Sequence, residues 1–203
     1  MTPARWAAKV QGVFQVRIHG RGGQGVVTAA ELLALAAFLE GRHAQAFPSF
    51  GSERTGAPVV AFCRIDDREI RVREPIMAPD ALIIQDPTLL HQVDVFGGMT
   101  PGGCILINTG RELAALGLAD LAEDFTLLTV PASEIAREHV GRPMPNAALL
   151  GGFAALTGLV SLESVTAAIN ARFPSAIALG NAAAAAAAHT HVQHEIEGIS
   201  HAA

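Results

Sequence analysis

FQVRIHGRGGQGVVTAAELLALAAFL, residues 14–39, decides the fold. Phe14 to His19 alternates apolar and polar side chains, the period of a strand. Gly20-Arg21-Gly22-Gly23-Gln24-Gly25 follows at once. Val26 to Leu39 is then apolar on most sides, as a helix buried against a sheet must be. A strand, a glycine-rich turn and a helix in immediate succession open an α/β domain. The turn fits GxGxxG, in which backbone amides at a helix N-terminus can approach an anion. The commoner reading of so short a pattern is a tight turn that merely packs a helix on a strand. A dinucleotide fold also wants an acidic residue about 20 positions on, at the end of the second strand. Glu40 has that spacing but ends a helix. Arg21 and Gln24 are also large for such a loop.

Working outward, Pro58 to Ile65 and Glu69 to Arg73 read as two strands joined by an acidic hairpin turn at Asp66-Asp67. Ala81 to Gln85, Cys104 to Asn108 and Phe125 to Val130 are short continuous apolar runs, the pattern of strands covered on both faces. Short helical patterns fall near Pro87 to Val93, Arg111 to Leu118 and Ser133 to Val140. After Pro143 and Pro145 the chain turns helical, with helices over Asn146 to Leu159 and Leu162 to Arg172. A final helix over Asn181 to Glu197 opens on seven alanines. The expected architecture is a three-layer α/β/α domain over residues 13–180, with a mixed, mostly parallel sheet. A C-terminal helical tail over 181–203 follows, with no independent second domain and no internal repeat.

Only 16% of the 203 residues are charged, where a soluble domain usually has about a quarter, so much of the surface is expected to be covered by something else. A net charge of −5 with no Lys/Arg block argues against nucleic-acid binding. The two cysteines, Cys63 and Cys104, sit in apolar runs far apart. They form no CxxC pair and fall short of the four thiols that an iron–sulfur cluster usually takes. Buried, reduced thiols are expected. The first residues lack the apolar core of a signal peptide. The longest apolar stretch, Ala147 to Val160, is too short for a membrane span. The chain therefore reads as soluble and cytoplasmic, with no membrane partner.

A second dense segment, Phe47 to Pro58 (FPSFGSERTGAP), places Glu53 and Arg54 among Gly51, Gly56 and two prolines. A loop shaped by its backbone in this way is either a binding loop or a pair of charges fixing the loop's own form. His189, His191 and His194 lie close together, with His201 beyond. No Asp, Cys or further His stands near at a matching offset, so a solvated tail is expected and no metal site. Nucleophile elbow, P-loop lysine and HExxH are all absent.

Three segments in this order carry a resemblance: the GRGGQG turn after its strand, the loop AQAFPSFGSERTGAPVVAFCRI, and NxxLLG at Asn146 to Gly151. With Ile70–Arg73 (IRVR) and the Ile107-Asn108-Thr109 step, the chain resembles the gamma subunit of the 2-oxoacid:ferredoxin oxidoreductases over about residues 13 to 180. The resemblance implies a larger complex that converts a 2-oxoacid and coenzyme A into acyl-CoA and CO2. Pyruvate, branched-chain and aryl oxoacids such as phenylglyoxylate are its substrate classes, and RTGAPVVAFCRI looks nearest to the pyruvate and branched-chain branch. It implies alpha, beta and delta partners holding thiamine diphosphate, Mg and 4Fe-4S clusters, with ferredoxin or NAD(H) as acceptor through another subunit. The gamma chain, with no catalytic residue of its own, would pack on the catalytic subunits and help form the coenzyme A path. The resemblance places Gly20, Arg21, Gly22, Gly23, Gln24 and Gly25, with Gly51, Ser52, Glu53, Arg54, Thr55 and Gly56, near the cleft, meeting coenzyme A or a neighbouring subunit. The alternative is a free-standing dinucleotide-binding oxidoreductase that uses the GxGxxG turn.

Overall fold

The computed structural model describes residues 12–49 and 55–202. Strand β1 (Phe14–Arg21) runs into the glycine turn, and helix α1 (Val26–Leu39) leads back to β2 (His43–Pro48). Then come β3 (Pro58–Asp66), β4 (Ala81–Ile84), β5 (Cys104–Asn108), the short α2 (Leu121–Asp124) and β6 (Thr126–Val130). Helices α3 (Ala132–Val140), α4 (Asn146–Thr157), α5 (Leu162–Arg172) and α6 (Ser175–Ala202) complete the chain. The six strands lie in the order β2-β3-β1-β4-β5-β6. β1, β4, β5 and β6 are parallel, with Ile18 opposite Ile83 and Leu106 opposite Leu128. β3 is antiparallel to both neighbours. The sheet is mixed, as expected, with helices on both sides.

The expected hairpin at Asp66-Asp67 does not form. β3 already has β1 on one edge and β2 on the other, so Glu69 to Arg73 has no ladder to join. Residues 69–79 instead run as an extended strap over the sheet. β2 falls within the segment that the sequence presents as a loop, because Ala44 and Ala46 on its inner side are weak strand formers. The helical patterns at Pro87 to Val93 and Arg111 to Leu118 are 3-10 turns over Pro87–His91 and Ala114–Leu116.

Helices α1 and α3 to α6 cover one face of the sheet, packing on Val16, Ile18, Cys63, Ile83 and Leu106. Every residue of α4 is buried, which explains why its sequence is apolar all round. Gly151 makes this layer possible: a Cβ there would stand 1.9 Å from the Ala185 carbonyl oxygen. The alanine run answers from the other side, with Ala184, Ala185 and Ala188 buried against α4. Helix α6 starts at Ser175, before the alanines, and is part of the core. On the opposite face, Leu82, Ile84, Ile105 and Ile107 form a smaller cluster under the 3-10 turns and α2.

Candidate functional site

Parallel β1 and β4 are neighbours whose following connections leave to opposite sides, β1 through α1 towards β2 and β4 towards β5. In open α/β sheets ligands bind in the crevice beyond the carboxyl ends of the strands at such a point. Here the crevice holds the glycine turn. Gly23 and Gly25 have φ of 94° and 71°, a left-handed backbone that other residues adopt only under strain. Gly25 has a second constraint, since a Cβ would come within 2.6 Å of Asn146 Nδ2. Gly25 is thus the N-cap of α1, and no side chain caps that helix.

Arg21 and Gln24, oversized for a phosphate loop, turn out to hold the turn in place. Arg21 donates from Nε to Asp86 Oδ2 at 3.1 Å, and from Nη1 to the Gly56 carbonyl at 3.0 Å. Its Nη2 donates to Thr88 Oγ1 and Gln92 Oε1, both at 2.7 Å. Gln24 Nε2 donates to Asp86 Oδ2 at 2.8 Å, and Gln24 Oε1 accepts from the Arg21 amide at 2.8 Å. Burial works to raise the Asp86 pKa, but hydrogen bonds from Thr88 and Gln24 and the charge of Arg21 hold it below the ordinary carboxylate value. Asp86 is therefore an ionised anchor, and most of Arg21's donors are committed to this network.

The turn also meets the second segment. The Gly22 amide donates to the Ala57 carbonyl at 2.9 Å, and the Gly56 amide donates to the Gly22 carbonyl at 3.1 Å. Gly22 and Thr55 form an isolated bridge. The structure thus brings Gly20–Gly25 together with Thr55 and Gly56. Gly51, Ser52, Glu53 and Arg54 lie outside the described residues.

A cleft of about 360 Å³ opens over the turn. One wall is Arg21, Gly22, Gly23, Gly25 and the first turn of α1; another is Val140, Arg142, Met144 and Asn146; Phe173, Ile177 and Asn181 close it. Asn146, Asn181 and Arg142 were not anticipated as site residues. More than a hundred positions separate them from the turn, although NxxLLG did mark Asn146 as part of a motif.

Glu40 answers the dinucleotide question. It accepts from the Ser161 amide at 2.7 Å and from the Ser164 hydroxyl, at the start of α5. Burial opposes its charge, but these hydrogen bonds and Arg42 keep its pKa below the ordinary value. It joins two helices and is not placed to hold a ribose. Cys63 and Cys104 are fully buried in β3 and β5, and burial pushes the Cys63 thiol up to about 12 and the Cys104 thiol higher than usual. Three strand spacings, roughly 14 Å, separate their strands. They do not suit a cluster. Among the described residues no group of three His, Cys, Asp or Glu side chains is placed to hold a metal, and no helix is long and apolar enough to cross a membrane. His189 and His191 are half-buried, His194 is exposed, and the His201 side chain lies outside the described residues.

The pyruvate ferredoxin/flavodoxin oxidoreductase family matches residues 15–190. The chain belongs to this family as a gamma subunit. It is 45% identical over 182 residues to the pyruvate synthase subunit PorC of Methanothermobacter marburgensis, covering 90% of this chain and 99% of that one. It is 48% identical over 173 residues to the pyruvate/ketoisovalerate oxidoreductases common subunit gamma of Thermococcus kodakarensis, covering 85% and 94%. The crystal structure of the pyruvate oxidoreductase subunit PORC of Thermotoga maritima superposes with a TM-score of 0.74 at 32% identity, covering 89% of this chain and 97% of that one. The gamma chain is thus part of a ferredoxin-dependent 2-oxoacid oxidoreductase complex.

Proposed function

We propose that this gamma chain packs on the thiamine-bearing subunits of a complex that oxidatively decarboxylates a 2-oxoacid, pyruvate or a branched-chain acid first, and that it walls the path of coenzyme A. In that reaction the bond between C1 and C2 of the oxoacid breaks and CO2 leaves. The acyl group passes to the coenzyme A sulfur and two electrons go on to the acceptor. Thiamine diphosphate with Mg in the alpha and beta subunits would supply the decarboxylation chemistry, and 4Fe-4S clusters in the beta and delta subunits the electron path. The acceptor is ferredoxin, or NAD(H) through a further subunit, in the cytoplasm.

The observation that carries the reading is likeness over almost the entire length of PorC-type subunits. The low charge content supports it, because a subunit interface need not be solvated. The chain's own part is positional. Arg21, Gln24 and Asp86 fix the glycine turn, and the cleft above it would face the coenzyme. Gly51, Ser52, Glu53 and Arg54 belong to the same proposal on the sequence alone. A free dinucleotide-binding enzyme is disfavoured by the engagement of Glu40 between two helices.

The test is anaerobic isolation of the chain from its source under non-denaturing conditions. Co-purifying chains that bring thiamine diphosphate and iron–sulfur absorbance are expected, and rates on a panel of 2-oxoacids would name the substrate. A colourless monomer or homodimer would sink the proposal.

A further inference from the structure

The sheet ends in two edges of different character. β6, at one end, follows α2 with its acidic Glu123 and Asp124, and its Leu127, Leu128 and Val130 are buried. β2, at the other end, reads HAQAFP, without a Lys, Arg, Asp or Glu, and runs along β3 from His43 to Pro48 without a bulge. Charges, bulges and prolines are the usual protection of a strand edge, and here the proline stands only at the end. No described strand lies beyond β2.

The register tells which backbone groups this edge offers. The Ser49 amide donates to the Val60 carbonyl at 2.8 Å, so by alternation His43, Gln45 and Phe47 are the residues of β2 bonded to β3. The amides and carbonyls of Ala44 and Ala46 therefore point outward. The methyl groups of both lie on the helical side, where α1 packs on β2. Phe38 and Leu39, which end α1 just before β2 begins, are 67% and 50% exposed. On the other side of the sheet Phe47 meets Phe62 at 5.2 Å and has the Arg64 guanidinium over its ring.

We infer that the β2 edge docks a second copy of this chain, the two β2 strands pairing antiparallel about a two-fold axis at Gln45. The edge carries its own complement. With the axis at Gln45, each Ala44 faces the second copy's Ala46, and every outward amide of these two residues finds a carbonyl. Residues 44 and 46 share a parity, so this register keeps the helical sides of both sheets on one face, whereas a slip of one residue would turn one sheet over. The side chains that meet are alanine on alanine above, and His43 on the second copy's Phe47 below, with no like charges opposed. The rotation also sets the two α1 helices on one side of the joined sheet, astride the axis, where Phe38 and Leu39 come under cover. Such a contact closes after two copies, which disposes of an unprotected edge without building a fibre. The pairing is a property of this chain and does not rest on the coenzyme path proposed above.

Sedimentation equilibrium of the full chain and its variants tests this. The parent is expected to have twice the mass of one 21.1 kDa chain at about 100 μM, a concentration that fills even a weak interface. Ala46→Pro removes an outward amide and no bond to β3, so dimerisation should weaken about tenfold or more while the circular dichroism stays that of the parent. Gln45→Cys puts two thiols opposite each other with Cα atoms about 4.5 Å apart, within disulfide reach, and should cross-link under mild oxidation. His43→Cys, opposite Phe47, should not. Cys63 and Cys104 are buried and stay out of the exchange. Should Ala46→Pro fail to fold, the cross-link decides alone. A parent that stays monomeric at that concentration would overturn the pairing. So would a dimer that is unchanged in Ala46→Pro and gives no cross-link in Gln45→Cys, since it would lie on another surface. A monomer whose residues 43–48 become protected from amide exchange only within the isolated complex would hand the edge to another subunit's strand, and would equally overturn it.

Discussion

The two faces of this sheet are built on different principles. On the helical face, α1 and α4 to α6 lock together through small residues and apolar side chains, backbone against backbone at Gly151 and Ala185. On the other, at the β2-β3-β1 end, the sheet presents Arg17, His19, Phe62 and Arg64, all nearly buried. Among the described residues no long helix covers them. The arginines instead reach out and hold passing chain by its carbonyls: Arg64 takes Val72 and Glu74 at 3.3 and 2.6 Å, and Arg17 takes Val95 and Gly97 at 2.9 and 2.8 Å. One face is specified by shape and the other by cations binding backbone. The first should therefore be brittle towards volume and the second towards charge and pH.

Gly151→Ala should have the largest effect. Its Cβ would press on a carbonyl that belongs to a packed helix and cannot turn aside. A cost of about 3 kcal/mol is expected, with Tm falling by roughly 6–12 °C in thermal unfolding of the chain. A shift under a degree would mean that α4 and α6 do not approach as described.

The next effect belongs to His19. Burial first, and then the neighbouring charge of Arg17, lower its pKa to about 4, while Asp94 opposes the shift. The unfolded chain takes up this proton near pH 6.5, so between pH 6.5 and 4 it binds more protons than the folded chain does. Stability is retained above that window and lost as pH falls through it. From pH 7 to 5 the loss should be about 2 kcal/mol, read as the change in urea midpoint, and His19→Gln should flatten that slope. An equal slope in both proteins would show that His19 is solvated.

Arg64→Met comes third. Removing the fork frees the Val72 and Glu74 carbonyls, which water can reach along this exposed strap. The global cost should be about 1 kcal/mol, since losing a buried charge offsets part of the lost hydrogen bonding. Trypsin cleavage at Arg68, Arg71 or Arg73 should quicken severalfold. Unchanged cleavage would mean that something else holds the strap. Smallest of all is Arg42→Ala. Arg42 pairs at 3.1 Å with an Asp67 that is 75% exposed, so a change within about 0.5 kcal/mol is expected.

The same contrast explains what could be read in the sequence. β4, β5 and β6 and helices α4 and α5 were legible to within about two residues, because these strands are covered on both faces and these helices are buried in the layer on one of them. The Glu69–Arg73 segment misled because Ile70 and Val72 alternate as a strand would, and which strand edges are free is a property of the whole sheet. The glycine turn was legible as a turn, and its φ values justify it. The jobs of Arg21, Gln24 and Glu40 were not, since Asp86 and Ser161 reach them only through tertiary structure. Arg142 was hidden for the same reason, and NxxLLG marked Asn146 as part of a motif without showing that it stands beside Gly25.

The most direct measurement is amide hydrogen exchange of this chain within its isolated complex, with and without coenzyme A. Slower exchange at residues 22–28 and 142–147, with residues 69–79 unchanged, is the expected result. Exchange that is the same with and without coenzyme A over the turn and the start of α4 would contradict the placing of the coenzyme path at this cleft.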